Sequence, residues 1–140
     1  MNNIDFTQIV TPESKAALDH SRLKQLLAEH RWIRENEGVN ITGNARFQSD
    51  RTTRAEMTSL LTNLELGTIS GPVIWKALSG WEVVGKDQLR QILWLLNAHV
   101  QACFTAERQV ERQISSAEVT QAQSVRDAFS TAYEAARTKT

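Results

Sequence analysis

Apolar residues recur at spacings of three and four in four stretches and alternate with polar ones in two short stretches. Ala16, Leu23, Leu26, Leu27, His30 and Ile33 fall on one face of a helix that Thr11-Pro12-Glu13 opens and Gly38 stops. Val39, Ile41, Ala45 and Phe47 then alternate around Gly43-Asn44, which predicts a β-hairpin with a two-residue turn. Ser49 or Asp50 caps a second helix from about Arg51 to Leu66, with Met57, Leu60, Leu61 and Leu64 as its buried stripe and Gly67 as its end. Past the Gly71-Pro72 loop, VIWKALSGWEVV predicts a second hairpin turning at Ser79-Gly80.

The third helix is the longest. Leu89, Leu93, Leu96, Val100, Cys103, Glu107, Val110 and Ile114 form a heptad-like seam, widened in its first half by Ile92, Trp94 and Leu95. Ser115-Ser116 is a candidate break. A last amphipathic segment carries Ala122, Val125, Phe129, Ala132 and Ala136, too weakly apolar to make a core alone, so it packs back on the first helix or on another chain. The predicted class is α+β, dominated by helix, with long amphipathic helices and two small β-hairpins. The predicted organisation is an extended arm at 1–11, one α+β domain at 12–116 and a helical C-terminal extension at 117–140.

Charge narrows the function classes. Sixteen Lys and Arg balance sixteen Asp and Glu, so the chain lacks the basic excess of a dedicated nucleic-acid binder and the polybasic run of a membrane anchor. No apolar stretch reaches the roughly 20 residues of a membrane span, and the start, MNNIDFTQIV, lacks the pattern of a signal peptide. A single cysteine, Cys103, excludes an internal disulfide and a multi-thiolate metal cluster and suits a reducing compartment.

Candidate chemistry is sparse. His99 and Cys103 lie four apart on one helical face, as a metal pair or a Cys–His nucleophile would, but no further ligand follows at recognised spacing. Packing of Cys103 on the apolar seam, with His99 bonded to a backbone group, is the weightier reading. Asp50-Arg51 reads as a helix cap before it reads as catalysis. Trp75-Lys76 and Trp81 suit a carbohydrate-stacking or peptide-docking platform, or an aromatic cover on the small sheet, and the strand register decides between them. Lys86, Arg90, Arg108, Arg112, Arg126 and Arg137 interleave with Glu107, Glu111 and Glu118, which describes a solvated face or interhelical pairs rather than a phosphate track. No nucleotide, zinc-protease or serine-hydrolase motif occurs, so no catalytic, cofactor-binding or metal-binding residue is predicted, and no cofactor.

Several segments together resemble a known domain: AEHRWIRENEGVNITG, FQSDRTTRAEM, VIWKALSGWEVV and LNAHVQACFTAE. Arg31-Trp32 near a helix end, the Gly38–Gly43 hairpin, Ser49-Asp50-Arg51, Trp75-Lys76 and His99 to Phe104 resemble a domain of unknown function common in tailed-bacteriophage and prophage genomes. It is associated there with phage tail and tail-fibre assembly-like proteins. The resemblance covers about residues 4–117. Ser49 stands where that domain has Thr, and the stretch from Ser115 departs from its acidic, Trp-containing ending.

The resemblance implies a non-enzymatic structural protein of a phage tail, at the tail tip, baseplate or fibre base. It would be made in the host bacterial cytoplasm and kept in the virion. A tail-fibre assembly chaperone absent from the mature particle is the alternative, and a hydrolase acting on the cell surface is a distant third. The implied partners are other tail or tail-fibre proteins, with neither nucleic acid nor membrane among them. The seam is also compatible with a homo-oligomer such as a trimer matching a fibre's symmetry, although Glu107 within it leaves the number open. The arm, first helix and helical tail are the expected docking surfaces, which singles out Ile4, Phe6, Ile9, Leu23, Leu27, Val110, Phe129 and Tyr133.

Overall fold

Two hydrophobic clusters share one helix. The structure, a computed structural model, describes residues 11–138. Its elements are α1 (Pro12–Asn36), β1 (Val39–Asn40), β2 (Arg46–Phe47), α2 (Arg51–Leu66), β3 (Val73–Ala77), β4 (Gly80–Val84), α3 (Lys86–Ser115) and α4 (Ala122–Arg137). The helix-dominated α+β class expected from the sequence is what forms.

The helix ends follow from local chemistry. Thr11 caps α1 through its hydroxyl, which accepts from the Ser14 amide at 3.1 Å, with Pro12 at the first helical position. Asp50, not Ser49, caps α2: its carboxylate accepts from the Thr53 amide at 3.1 Å and the Thr53 hydroxyl at 2.6 Å. Those bonds, the hydroxyl's first, hold the Asp50 carboxyl below its ordinary value. Gly67 ends α2 in the left-handed conformation.

Ser49 instead is a buried clasp. Its hydroxyl donates to the Glu35 carbonyl at 2.6 Å and accepts from the Gly38 amide at 3.0 Å, tying the end of α1 to the strand that leads into α2. Gly38 is held there with φ +96°, and a Cβ would come within 2.6 Å of the Leu78 side chain and 2.9 Å of the Phe47 carbonyl oxygen. Only glycine satisfies both the backbone angle and the space.

The first hairpin turns at Gly43-Asn44 as predicted, the Ala45 amide donating to the Thr42 carbonyl at 3.0 Å, and pairs Val39 with Phe47. The second turns one residue earlier than predicted. Ala77 pairs with Gly80, so Leu78 and Ser79 form the loop. A long-range contact fixes that position: the amides of Leu78 and Ser79 both donate to the Arg46 carbonyl, and the Ser79 hydroxyl accepts from the Arg46 amide. Gln48 adds a second tie, donating to the Lys76 carbonyl and accepting from the Trp75 indole.

The first core lies around the first half of α3. Leu89, Ile92, Leu93 and Leu96 pack with Phe47, Met57, Leu64, Ala77 and Val84, and Trp75 covers its edge. The second core surrounds the other half, where Ala102, Cys103, Ala106, Val110 and Ile114 meet Leu23 and Leu27 of α1 and Val125, Phe129 and Tyr133 of α4. Arg31 contacts Glu107 while Arg34 contacts His99, so α1 runs antiparallel to α3. His30 meets Phe129 and Arg34 meets Tyr133, so α4 runs parallel to α1. The second core is therefore a three-helix bundle.

α3 ends at Ser115, and Ala117 at φ 63° reverses the chain so that Val119 enters the bundle. The stretch read as a C-terminal extension thus contributes the helix α4 to this core.

Two side-chain placements differ from expectation. Trp94 does not thicken the core: it is more than half exposed, because the buried arc of α3 runs through Ile92, Leu93 and Leu96. Glu107, inside the seam, is neutralised within the chain by Arg31, whose Nε lies 2.9 Å from its carboxylate.

Candidate functional site

The His99–Cys103 pair is built into the bundle. A backbone carbonyl can only accept, so His99 Nε2, 2.9 Å from the Arg34 carbonyl, carries the proton. Nδ1, 2.7 Å from the Tyr133 hydroxyl, then accepts from it. Both ring nitrogens are satisfied in the neutral form, and burial lowers the His99 pKa. Cys103 Sγ is 3.9 Å from Nε2, fully buried, and its thiol is pushed up to about 12 by burial. A nucleophilic cysteine needs a thiolate, and this environment favours the thiol. Among the described residues no group of three or more His, Cys, Asp or Glu could hold a metal ion.

The expected docking residues divide sharply. Ile4, Phe6 and Ile9 lie outside the described residues. Leu23, Leu27, Val110, Phe129 and Tyr133 are all buried where α1, α3 and α4 meet, so they are core residues, and of the five only Tyr133 also reaches the wall of a surface cleft. The correction has a simple cause: these apolar stripes exceed what one small core needs, but the chain forms two. The α3 seam that suggested self-association is covered by the chain itself, by α2 and the hairpins over its first half and by α1 and α4 over its second.

The exposed apolar surface lies elsewhere, on the second hairpin. The register pairs Ile74 with Val83 and Lys76 with Trp81, which puts these four on the outer face, while Trp75 and Glu82 share the inner face. Trp75 is the aromatic cover. Trp81 is 69% exposed, Ile74 69% and Val83 66%, while Leu78 in the turn is half exposed with its side chain against Gly38. Lys76 Nζ sits 5.6 Å above the Trp81 ring, which holds the indole against the sheet. Three large side chains this exposed on one pleated face form a contiguous patch, unlike singly scattered apolar residues.

A second surface feature is a cleft of about 500 Å³ at the end of α1, walled by Gly38–Ile41, Leu95 and Ala98 of α3, and Tyr133 of α4, with Trp94 at its side. Arg34, Arg46 and Arg137 converge on it against a single lining carboxylate, Glu37. Arg34 lies over the Tyr133 ring at 4.5 Å with its Nε 3.1 Å from Glu37. Arg46 reaches the Asn40 side chain and the carbonyls of Glu37 and Gly38. Of these three arginines the sequence singles out only Arg137, among the mixed-sign charges of the C-terminal helices; their separation along the chain hides the grouping.

The remaining charges behave as the mixed-sign pattern suggests. Arg90 pairs with Glu65 and Asp87 at the surface. Arg31 bridges Glu35 and Glu107, and Arg54 approaches Glu35 at 3.8 Å, so one half-buried cluster of charges links α1, α2 and α3. No described helix is long and apolar enough to cross a membrane.

No curated protein and no solved structure matches the chain. A family model does, over residues 19–135, from the first third of α1 to near the end of α4, and it spans both cores. The chain therefore belongs to the family described as Domain of unknown function (DUF4376).

Proposed function

We propose that this protein is a non-enzymatic structural component of a bacteriophage tail, an adaptor at the tail tip, baseplate or fibre base, acting through protein–protein assembly. The observation that carries the assembly part is the outer face of the second hairpin, where Ile74, Trp81 and Val83 each stay about two-thirds exposed. Burying that face against another tail or tail-fibre protein removes apolar area from water, and a central tryptophan is a frequent anchor in such contacts. The tail assignment draws on the resemblance of the Arg31-Trp32, Trp75-Lys76 and His99–Phe104 segments to a phage-borne domain.

Mass spectrometry of purified virions tests the reading. The chain is expected in the intact particle, at a stoichiometry set by its position in the tail. Its presence in infected-cell lysate together with its absence from the particle rejects the adaptor and favours a tail-fibre assembly chaperone, which would use the same apolar face transiently. Trp81→Ser is expected to leave the fold intact and deplete the chain from assembled tails.

A further inference from the structure

We infer that the arginine cleft receives the N-terminal segment of a second copy of this chain, with Asp5 as the carboxylate it captures. This goes beyond the tail reading and does not depend on it.

The charge balance of the cleft sets the chemistry of its occupant. Arg34 has Glu37 at 3.1 Å, and Arg137 has Glu134 at 4.0 Å. Arg46 has no carboxylate within 4.0 Å among the described residues. Three of its five N–H groups go to the Asn40 side chain and two carbonyls, which leaves Nε–H and one Nη1 hydrogen. Beside it, the Nη groups of Arg34 have no hydrogen-bond partner among the described residues. Arg46 therefore stands without a carboxylate among the described residues, and its open donors lie beside those of Arg34. A single carboxylate matches this, since guanidinium groups bind carboxylates through paired, charge-assisted bonds. Leu95 and Ala98 on the wall and the exposed Trp94 indole favour an occupant whose carboxylate is flanked by apolar side chains.

Residues 1–10 have that composition. Asp5 is their only acid, and it stands between Ile4 and Phe6. Geometry excludes insertion into the chain's own cleft. From Pro12 to Glu37, whose carbonyl Arg46 holds, α1 and its cap extend about 37 Å. The seven residues from Asp5 to Pro12 span about 25 Å at full stretch. The segment starts at the far end of the helix and falls short, so the cleft it fits is a neighbour's. Donor and acceptor surfaces differ, so the contact is heterologous and propagates head to tail into a ring or a chain of copies.

Sedimentation equilibrium of the full chain, from micromolar into the hundreds of micromolar, tests this. The chain is expected to associate with concentration, less so at high salt. Asp5→Asn and Arg46→Gln are each expected to weaken association at least tenfold. Mixed together, the two variants offer one intact segment and one intact cleft, and should form a 1:1 dimer that grows no further. A synthetic peptide of residues 1–11 should compete with wild-type association, and its Asp5→Asn counterpart should not. A wild-type chain monomeric throughout, an Asp5→Asn variant that associates as tightly as wild type, or a mixture no heavier than its parts overturns the proposal. If circular dichroism shows Arg46→Gln unfolded, Asp5→Asn and the peptide pair decide the matter.

Discussion

The two halves of the molecule solve the same problem with opposite materials. Around the first half of α3, two short hairpins and α2 close an apolar core whose hairpins and loops are fixed by long-range ties to backbone groups: the Arg46 carbonyl to Leu78 and Ser79, Gln48 to Lys76, and Ser49 between Glu35 and Gly38. Around the second half, α1 and α4 close a core almost wholly through side chains, with Phe129, Val110, Ile114, Ala106 and Cys103 all fully buried. A two-stranded sheet is marginal by itself and needs external fixings to hold its register. A three-helix bundle satisfies its own backbone and leaves recognition of neighbours to shape. The hairpin half thus leaves an apolar face outward, and the bundle half carries the polar contacts at its end.

Substitutions at equal burial in the two halves are the strongest probe of this contrast. Phe129→Ala in the bundle and Met57→Ala in the hairpin half each empty a fully buried site, at an expected cost of about 3–5 and about 2–5 kcal/mol respectively. Denaturant melts followed by circular dichroism and by tryptophan fluorescence should shift together for either variant, because α3 belongs to both cores. Two separated transitions would show that the halves are independent.

Backbone fixings come next. Gly38→Ala combines a left-handed backbone with a sub-contact approach to Leu78 and Phe47, and should cost about 2–3 kcal/mol. Ser49→Ala leaves the Gly38 amide and the Glu35 carbonyl without their buried partner, at about 1–3 kcal/mol. Both should destabilise without loosening the bundle, visible as faster amide exchange in the hairpins than in α4. Equal exchange in both regions would erase the difference between the two halves.

Acid should act on the bundle first. His99 is lowered by burial, and His30 by burial and then by the charges of Arg126 and Arg34. A group whose folded pKa lies below its unfolded value binds fewer protons in the folded state, so stability rises with pH across the gap between the two values. The contribution is complete above about 6.5 and lost as pH falls through the folded values. His99→Gln should flatten that part of the stability–pH curve, and an unchanged slope would remove His99 as its source. The smallest expected effect belongs to the outer hairpin face, where Trp81→Ser should move the melting midpoint by no more than about 0.5 kcal/mol equivalent.

What the sequence makes legible is what local chemistry decides. Thr11-Pro12, Asp50 and Gly67 mark their helix ends because a cap needs only its own few residues. The Gly43-Asn44 turn is likewise local. The second turn slips by one because a carbonyl thirty-odd residues away holds it, and periodicity carries no trace of Arg46. Leu23, Val110 and Phe129 are recognisable as apolar stripes, but a stripe does not say whether its cover is the same chain or another. Here it is the same chain, which only the antiparallel pairing of α1 with α3 reveals. The cleft is hidden for a similar reason: Arg34, Arg46 and Arg137 belong to three separate elements, and only the fold places them together.

The sharing of α3 has a consequence for how such a chain can change over generations. Residues 67–72 are exposed and belong to neither core, so residues added there are expected to leave both in place. One residue inserted between Leu96 and Cys103 would turn one half's stripe by about 100° relative to the other's. Recombination between relatives can therefore exchange the hairpin half or the bundle half only at crossovers that keep the helical phase of α3. The two cores are inherited as a matched pair, geared to one another by a single shaft.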